Sequence, residues 1–358
     1  TWINRSLLEL VSRYKKLFKI NLNIYDENYH SIFEHLYKET NFTDLYINNT
    51  YDPEIDKIDK SLEKEFGKLF NIKSYNSSLL FTPNEVLNNS GSFFKVYTPF
   101  WKNALNKLNL RDPLPVPKIK SIYERKILSI KQSTVDKESR IWEKKILSHF
   151  KPGEVNAREI LSQISTKLNG YSKNRDFPIQ NNTSQLSPYL ARGELSVNEI
   201  FFSVKRNKKK VDIDDYIKFT SQLGWREFSY NILYNFPKLP NTNFISKFNN
   251  FPWLKNSKYL SSWKKGATGY PIVDAGMREL RATGYMHNRL RMITASFLIK
   301  NLNISWVDGA KWFWDNLFDA DIANNSSGWQ WVAGCGTDAA PYFRIFNPTL
   351  QSVRFDKD

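Results

Sequence analysis

Gly328-Trp329-Gln330-Trp331, followed within a few residues by Thr337-Asp338-Ala339-Ala340-Pro341-Tyr342-Phe343-Arg344-Ile345-Phe346-Asn347-Pro348, is the stretch on which the reading of this chain turns. If 328–331 is helical, its two tryptophans are separated by two steps of about 100° and lie on nearly opposite faces. They cannot serve the same neighbours. Upstream, Arg291 stands inside the apolar run Leu290-Arg291-Met292-Ile293. A guanidinium buried there needs a carboxylate partner. The chain also carries 11 Trp, and Trp312, Trp314, Trp329 and Trp331 lie close together, more than a core alone requires.

The bulk composition narrows the partners. A net charge of +16 is unusual for an enzyme acting on small anionic metabolites alone. It points to a polyanion, nucleic acid first and an anionic membrane surface second. No apolar run approaches the roughly 20 residues of a membrane span, and no stretch reads as a signal peptide. The single cysteine, Cys335, excludes an internal disulfide and any multi-cysteine metal or iron–sulfur site. A reducing, cytoplasmic setting is the expectation. At 358 residues there is room for two domains and a substantial core.

The first hundred residues alternate helix and strand signals. Leu7, Leu8, Val11 and Tyr14 recur at helical spacing, and Ile20, Leu22 and Ile24 alternate as a strand would. Ile32, Phe33 and Leu36 read as a second helix and Leu45-Tyr46-Ile47 as a short buried strand. Pro53 opens a third helix carrying Ile55, Ile58, Leu62, Phe66 and Leu69. This rhythm predicts a parallel, doubly wound α/β sheet over 1–109. It contains no Gly-rich phosphate loop. Asp112-Pro113-Leu114-Pro115-Val116-Pro117 cannot be regular structure, so 110–153 reads as a linker. From 154 to 358 the pattern is helical. Ser196 with Glu199, and Ser305 with Asp308, form capping boxes before apolar runs. Both ends read as cut: the chain opens on Thr1 in a helix without a preceding strand, and it stops just past Asn347-Pro348. A piece of a longer protein is the expectation.

The 328–348 stretch, with Thr268-Gly269-Tyr270-Pro271 and Tyr285-Met286-His287-Asn288-Arg289-Leu290-Arg291-Met292 before it, resembles the signature of the DNA photolyase and cryptochrome family. The likeness is closest to its class I cyclobutane pyrimidine dimer photolyases, which are carbon–carbon lyases. It implies an α/β domain lacking its first strand, then an all-α FAD-binding domain with an incomplete C-terminus. It also implies light-driven repair of pyrimidine dimers by electron transfer from reduced FAD.

Carried over residue by residue, the resemblance places FAD phosphates at Thr183-Ser184-Gln185-Leu186-Ser187, with Tyr171 nearby. Hydroxyls and backbone N–H groups at a helix start suit a pyrophosphate. It pairs Arg291 with Asp319 against the flavin, continues through Ala320, and sets Asp321 at the ring's hydrogen-bonding edge. Asn325 falls beside flavin N5, where a neutral amide suits a repair enzyme. Trp329, Trp306 and Trp253 become the electron-transfer chain, and Trp331 faces Trp225 across the substrate cavity. Arg175, Arg226, Asn288, Arg289, Met292 and Gln351 match positions facing DNA or the lesion. Asn288 stands where a (6-4) enzyme needs histidine, which favours the cyclobutane dimer. One departure is Gln222, where cyclobutane enzymes usually place a Glu; slower repair is expected from it.

An antenna chromophore, methenyltetrahydrofolate or a deazaflavin, is implied without a choice between them. The expected partner is UV-damaged DNA, bound by a monomer that sits on the nucleoid when engaged. A cryptochrome-type receptor of the same fold stays open because of Gln222. So does a DNA-binding remnant without catalysis.

Overall fold

The computed structural model describes residues 2–25, 27–110, 112–119, 147–180 and 182–357. Its α/β part begins with helices α1 (Trp2–Phe18) and α2 (Tyr29–Thr40), then alternates β1 (Asp44–Asn49), α3 (Pro53–Phe66) and β2 (Asn71–Asn76). Asn28 caps α2 through its side chain, and Asn41 closes it in a left-handed conformation. Pro53 opens α3 behind Asp52, whose carboxylate accepts the Glu54 N–H at 2.8 Å. The two strands pair parallel, Asp44 opposite Asn71 through to Asn49 opposite Asn76. Leu62, Phe66 and Phe70 form the core beside them, with Phe33, Tyr37, Leu45, Ile58 and Ile72 packed on.

The strand expected at Ile20, Leu22 and Ile24 does not form. Residues 20–25 are irregular and half-buried. Alternation makes a strand only when a neighbour completes its hydrogen bonds, and among the described residues none is there. Conversely β2, Asn71-Ile72-Lys73-Ser74-Tyr75-Asn76, is too polar to announce itself; its pairing with β1 makes it a strand.

Helix α1 does not cover this sheet. Trp2 is buried among Phe150, Tyr189 and Phe318, and its indole N–H donates to Glu194 at 2.9 Å. Arg13 pairs with Glu154 at 2.5 Å, and Glu9 accepts the Val155 N–H at 3.0 Å. Gly153 permits this approach. Its φ is +111°, and a Cβ there would run into the Glu9 carboxylate.

The helical part contains α4 (Tyr97–Lys107), α5 (Glu154–Ser162), α6 (Val197–Arg206), α7 (Ile213–Asn235), α8 (Ser257–Lys265), α9 (Pro271–Thr283), α10 (Asn288–Ser296), α11 (Trp306–Asn316), α12 (Ile322–Ala333) and α13 (Pro348–Phe355), with shorter turns between. Ser196 caps α6 as its capping box requires, accepting the Glu199 N–H at 3.1 Å. Two cores hold these helices. One joins Leu79, Phe81, Phe100 and Trp101 to residues of α5, α6 and α7. The other gathers α8 to α12 around Trp263, Trp306 and Trp329. The α/β part and the helical part thus appear as expected, although residues 79–104 pack with the helices rather than with the sheet. Residues 112–119 carry neither helix nor strand; the linker reading otherwise falls largely outside the described residues. Among the described residues no helix is long and apolar enough to cross a membrane.

Candidate flavin and lesion site

The start of α12, the loop before it and α10 meet at one cluster of charge. Arg291, on α10, donates from Nη2 to Asp319 Oδ2 at 2.8 Å and from Nε to the Met286 carbonyl at 2.7 Å. Ser187 Oγ donates to the same Asp319 Oδ2 at 2.7 Å. The expected pair is therefore present, with a serine added. Asp319 Oδ1 is buried without a hydrogen-bond partner. A buried carboxylate oxygen left bare beside a paired guanidinium is an acceptor awaiting a donor.

Asp321 caps α12, Oδ1 accepting Asn324 N at 2.8 Å and Asn324 Nδ2 at 2.9 Å. Its Oδ2 accepts the Tyr230 hydroxyl at 2.7 Å. Burial and the adjacent Asp321 charge push the Tyr230 phenol far above its ordinary range, so it stays a donor. Asn325 gives its amide N–H to the Ala310 carbonyl at 3.0 Å, which leaves the amide oxygen as the acceptor it offers. Ala320 is buried between the two aspartates.

Across from these lies the 183–187 turn. Gln185 has φ +56°, which bends the backbone into the helical turn 187–191. Ser184 Oγ accepts the Leu186 N–H at a long 3.4 Å, and Leu186 is buried. Thr183 reaches the Tyr285 phenol. Tyr171 is buried, with the Arg175 guanidinium 5.5 Å from its ring centre. Serine, threonine and backbone N–H groups at a helix start, an orphaned carboxylate oxygen and a fixed amide make a donor and acceptor set that fits FAD.

The tryptophans divide as their spacing predicts. Trp329 is 3% exposed, wedged against Phe313 at 4.9 Å and Gly309, where a Cβ would clash. Trp331 is half-buried. Trp306 is buried and donates to Asn243 Oδ1 at 2.8 Å, and Trp253 lies half-buried against Phe251. Trp329, Trp306 and Trp253 belong to one apolar cluster. So does Trp263, which the sequence reading did not single out; it stands edge-on to Trp329 at 6.2 Å.

The residues expected on the lesion side are less uniform. Trp225 is half-buried and stacks on Tyr97. Gln222 donates to the Lys218 carbonyl and Ser221 Oγ, both at 3.2 Å. Arg226 turns inward, giving Nη1 to the Ser78 carbonyl at 2.8 Å and to Glu227 at 3.3 Å. Burial pushes the Glu227 carboxyl up to about 7 even with Arg226 beside it. Arg289 pairs with Asp176 at 2.8 Å and lies 4.3 Å from the Phe355 ring. Arg175 is mostly buried at the edge of this group, 3.8 Å from Asp176. Asn288 is exposed at the start of α10 and leans on Met292. Gln351 is half-buried, its amide oxygen unpartnered. Tyr97 and Tyr230 were missed because only long-range folding brings them to the site; no local pattern marks them.

An α/β part joined to a helical part that carries an arginine–aspartate pair, a capping aspartate and an asparagine is the arrangement the resemblance leads one to expect in a flavin-binding protein. Residues 1–118 match the family profile described as DNA photolyase, and residues 219–358 match the FAD binding domain of DNA photolyase. A deoxyribodipyrimidine photo-lyase of Agrobacterium fabrum is 39% identical over all of this chain and 75% of its own length. The crystal structure of a bacterial class III photolyase from Agrobacterium tumefaciens superposes with a TM-score of 0.90 at 39% identity, covering 100% of this chain and 75% of that one. An archaeal photolyase from Sulfolobus tokodaii, solved with two FAD molecules, gives 0.84 at 28% identity, covering 99% and 76%. This chain belongs to the DNA photolyase family.

Proposed function

We propose that the chain repairs cyclobutane pyrimidine dimers in DNA, driven by light, with FAD held between the 183–187 turn and the start of α12. The observation that carries this reading is the Arg291–Asp319–Ser187 cluster with its one bare oxygen. When bound and reduced, FAD supplies light-driven electron donation to the lesion. Everything else falls to the protein. Asp319, Asp321 and Asn325 would orient the ring through acceptors fixed by their own partners. The hydroxyls of Thr183 and Ser184, with the adjoining backbone N–H groups including that of Ser187, would receive the phosphates, the Ser187 hydroxyl itself being spent on Asp319. Trp329 and Trp306 are buried in one apolar cluster with the half-buried Trp253 packed against it, and the three would serve as the electron-transfer chain.

On the lesion side, Trp225 and Trp331 offer flat apolar faces. A pyrimidine dimer stacks poorly in the duplex, so flipping it out costs only a few kcal/mol. Stacking on an aromatic returns roughly 1–3 kcal/mol per base. Asn288 and Met292 line the approach; Arg289 and Arg175 hold its rim. The reading takes UV-damaged DNA as partner, a monomer as the acting form and the cytoplasm as the location. The +16 charge supports the first of these.

The test is the visible spectrum of the purified chain, followed by repair of dimer-containing DNA under blue light after reduction. Flavin bands near one per chain and light-dependent loss of dimers are expected. Bound flavin with no light-dependent repair would favour a receptor instead, and no flavin even after FAD is added would overturn the site.

A further inference from the structure

Tyr97 and Trp225 come from α4 and α7, 128 positions apart in sequence, yet their rings lie parallel at 9° with centroids 3.8 Å apart. No other ring pair among the described residues is so close. Aromatic pairs ordinarily settle into offset or edge-on arrangements about 4.5–7 Å apart. Phe228 stands edge-on to both rings, 6.0 Å from Tyr97 and 5.8 Å from Trp225.

The tyrosine is anchored at both ends. Its hydroxyl donates to the Ser221 carbonyl at 2.9 Å, one residue from Gln222. Its backbone N–H donates to Asp338 Oδ2 at 3.0 Å, in the segment that follows Trp331. Burial pushes the phenol well above its usual range, so it remains an O–H donor. Neither ring is sealed in the core; both are half-buried.

We infer that Tyr97 is a positioning residue of the lesion wall, stacking behind one face of Trp225 so that the indole offers its other face to a damaged base. This rests on the repair reading above. Held this way, Trp225 keeps its orientation before a lesion arrives, and binding does not have to order it. The stacking platform then has two layers, and the inner layer comes from the region preceding the 112–119 segment. The same contact links Asp338, Ser221 and α4, so the wall is braced from three separate parts of the chain.

The experiment compares the full chain loaded with FAD, as wild type, Tyr97→Phe, Tyr97→Leu and Tyr97→Met. The probe is an oligonucleotide carrying one thymine cyclobutane dimer, set against the same oligonucleotide undamaged. Tyr97→Leu should reduce the damaged-over-undamaged affinity ratio by about tenfold, the size expected for one aromatic stack. Flavin content and repair yield per bound dimer at saturation should stay at the wild-type level. Tyr97→Phe keeps the flat face and should restore most of the ratio. Tyr97→Met fills the volume without a flat face, and it carries the test if the leucine variant does not fold.

A ratio that is unchanged or raised in Tyr97→Leu and Tyr97→Met overturns the inference, since the ring would then be idle or in the way. A Tyr97→Phe as weak as Tyr97→Leu also overturns it, because the hydroxyl anchor rather than the stack would matter. A wild type that does not prefer damaged DNA removes the repair reading itself, whatever the variants do.

Discussion

The proposed flavin cradle and the proposed lesion wall are built from opposite materials. In the cradle, charge is matched atom by atom: Arg291 to Asp319, Ser187 to the same carboxylate, Tyr230 to Asp321, Asn325 to Ala310. One carboxylate oxygen is left over, and it is buried. At the proposed wall, contact is made by ring faces, Tyr97 on Trp225, with Trp331 half-buried. A resident group that stays bound is best fixed by saturated, directional bonds, whereas a lesion that must be recognised in any sequence is best met by faces that stack with every base. The two regions should therefore fail differently.

The sharpest way to break them apart is Arg291→Leu. It leaves Asp319 buried, charged and without its cation, a loss of about 3–5 kcal/mol. Flavin retention, read as the ratio of visible to protein absorbance, should fall to near zero.

Acid should act on the seam between the regions. His287 caps α10 by accepting the Arg289 N–H on Nδ1 at 3.2 Å. Burial lowers its pKa to about 4, against the opposing pull of the Arg175 carbonyl; Arg175 and Arg289 lower it further and Asp176 raises it. The unfolded chain takes up this proton near pH 6.5 and the folded chain only near 4. Stability is thus full above about 6.5 and lost as pH falls toward 4, on the order of 2 kcal/mol between pH 7 and 5. Denaturant melts at the two pH values should show this drop in the wild type and a smaller one in His287→Asn, which keeps a capping acceptor without the titration.

The smallest effect tests the joint itself. Tyr230 shares α7 with Trp225 but spends its hydroxyl on Asp321. Tyr230→Phe should lower stability by about 1.5 kcal/mol, the worth of a hydrogen bond to a charged group. It should weaken flavin binding more than damaged-DNA binding, as paired titrations of the same protein would show.

The cradle was far more legible in the sequence than the wall. Arg291 in an apolar run demanded a carboxylate, and the family pattern pointed to Asp319, which lies 2.8 Å away. The two-residue step between Trp329 and Trp331 separated a buried ring from a half-buried one. Pro53 and Ser196 opened helices where their backbone chemistry says they should. What escaped was whatever depends on a distant neighbour. Ile20, Leu22 and Ile24 alternate without a strand beside them, while polar Asn71–Asn76 is a strand because β1 is there. Tyr97 gives no local sign that it will lie on Trp225. Arg226, matched to a DNA-facing position, spends its guanidinium on Ser78 and Glu227, since burial favours inward partners for a charge that cannot reach water.

Helix α1 makes this chain a natural subject for fragment complementation. Its first turn plugs a socket formed by Phe150, Tyr189 and Phe318, and it satisfies Glu194 from within. A polypeptide starting at residue 19 would carry the socket without the plug and keep Leu79, Phe81, Phe100 and Trp101 in the core they share with α5, α6 and α7. It would present an apolar hollow with a buried carboxylate short of one donor. Such a piece should be sticky on its own and should be quieted by a separately made peptide spanning α1, two fragments reassembling along a seam that the order of the sequence conceals.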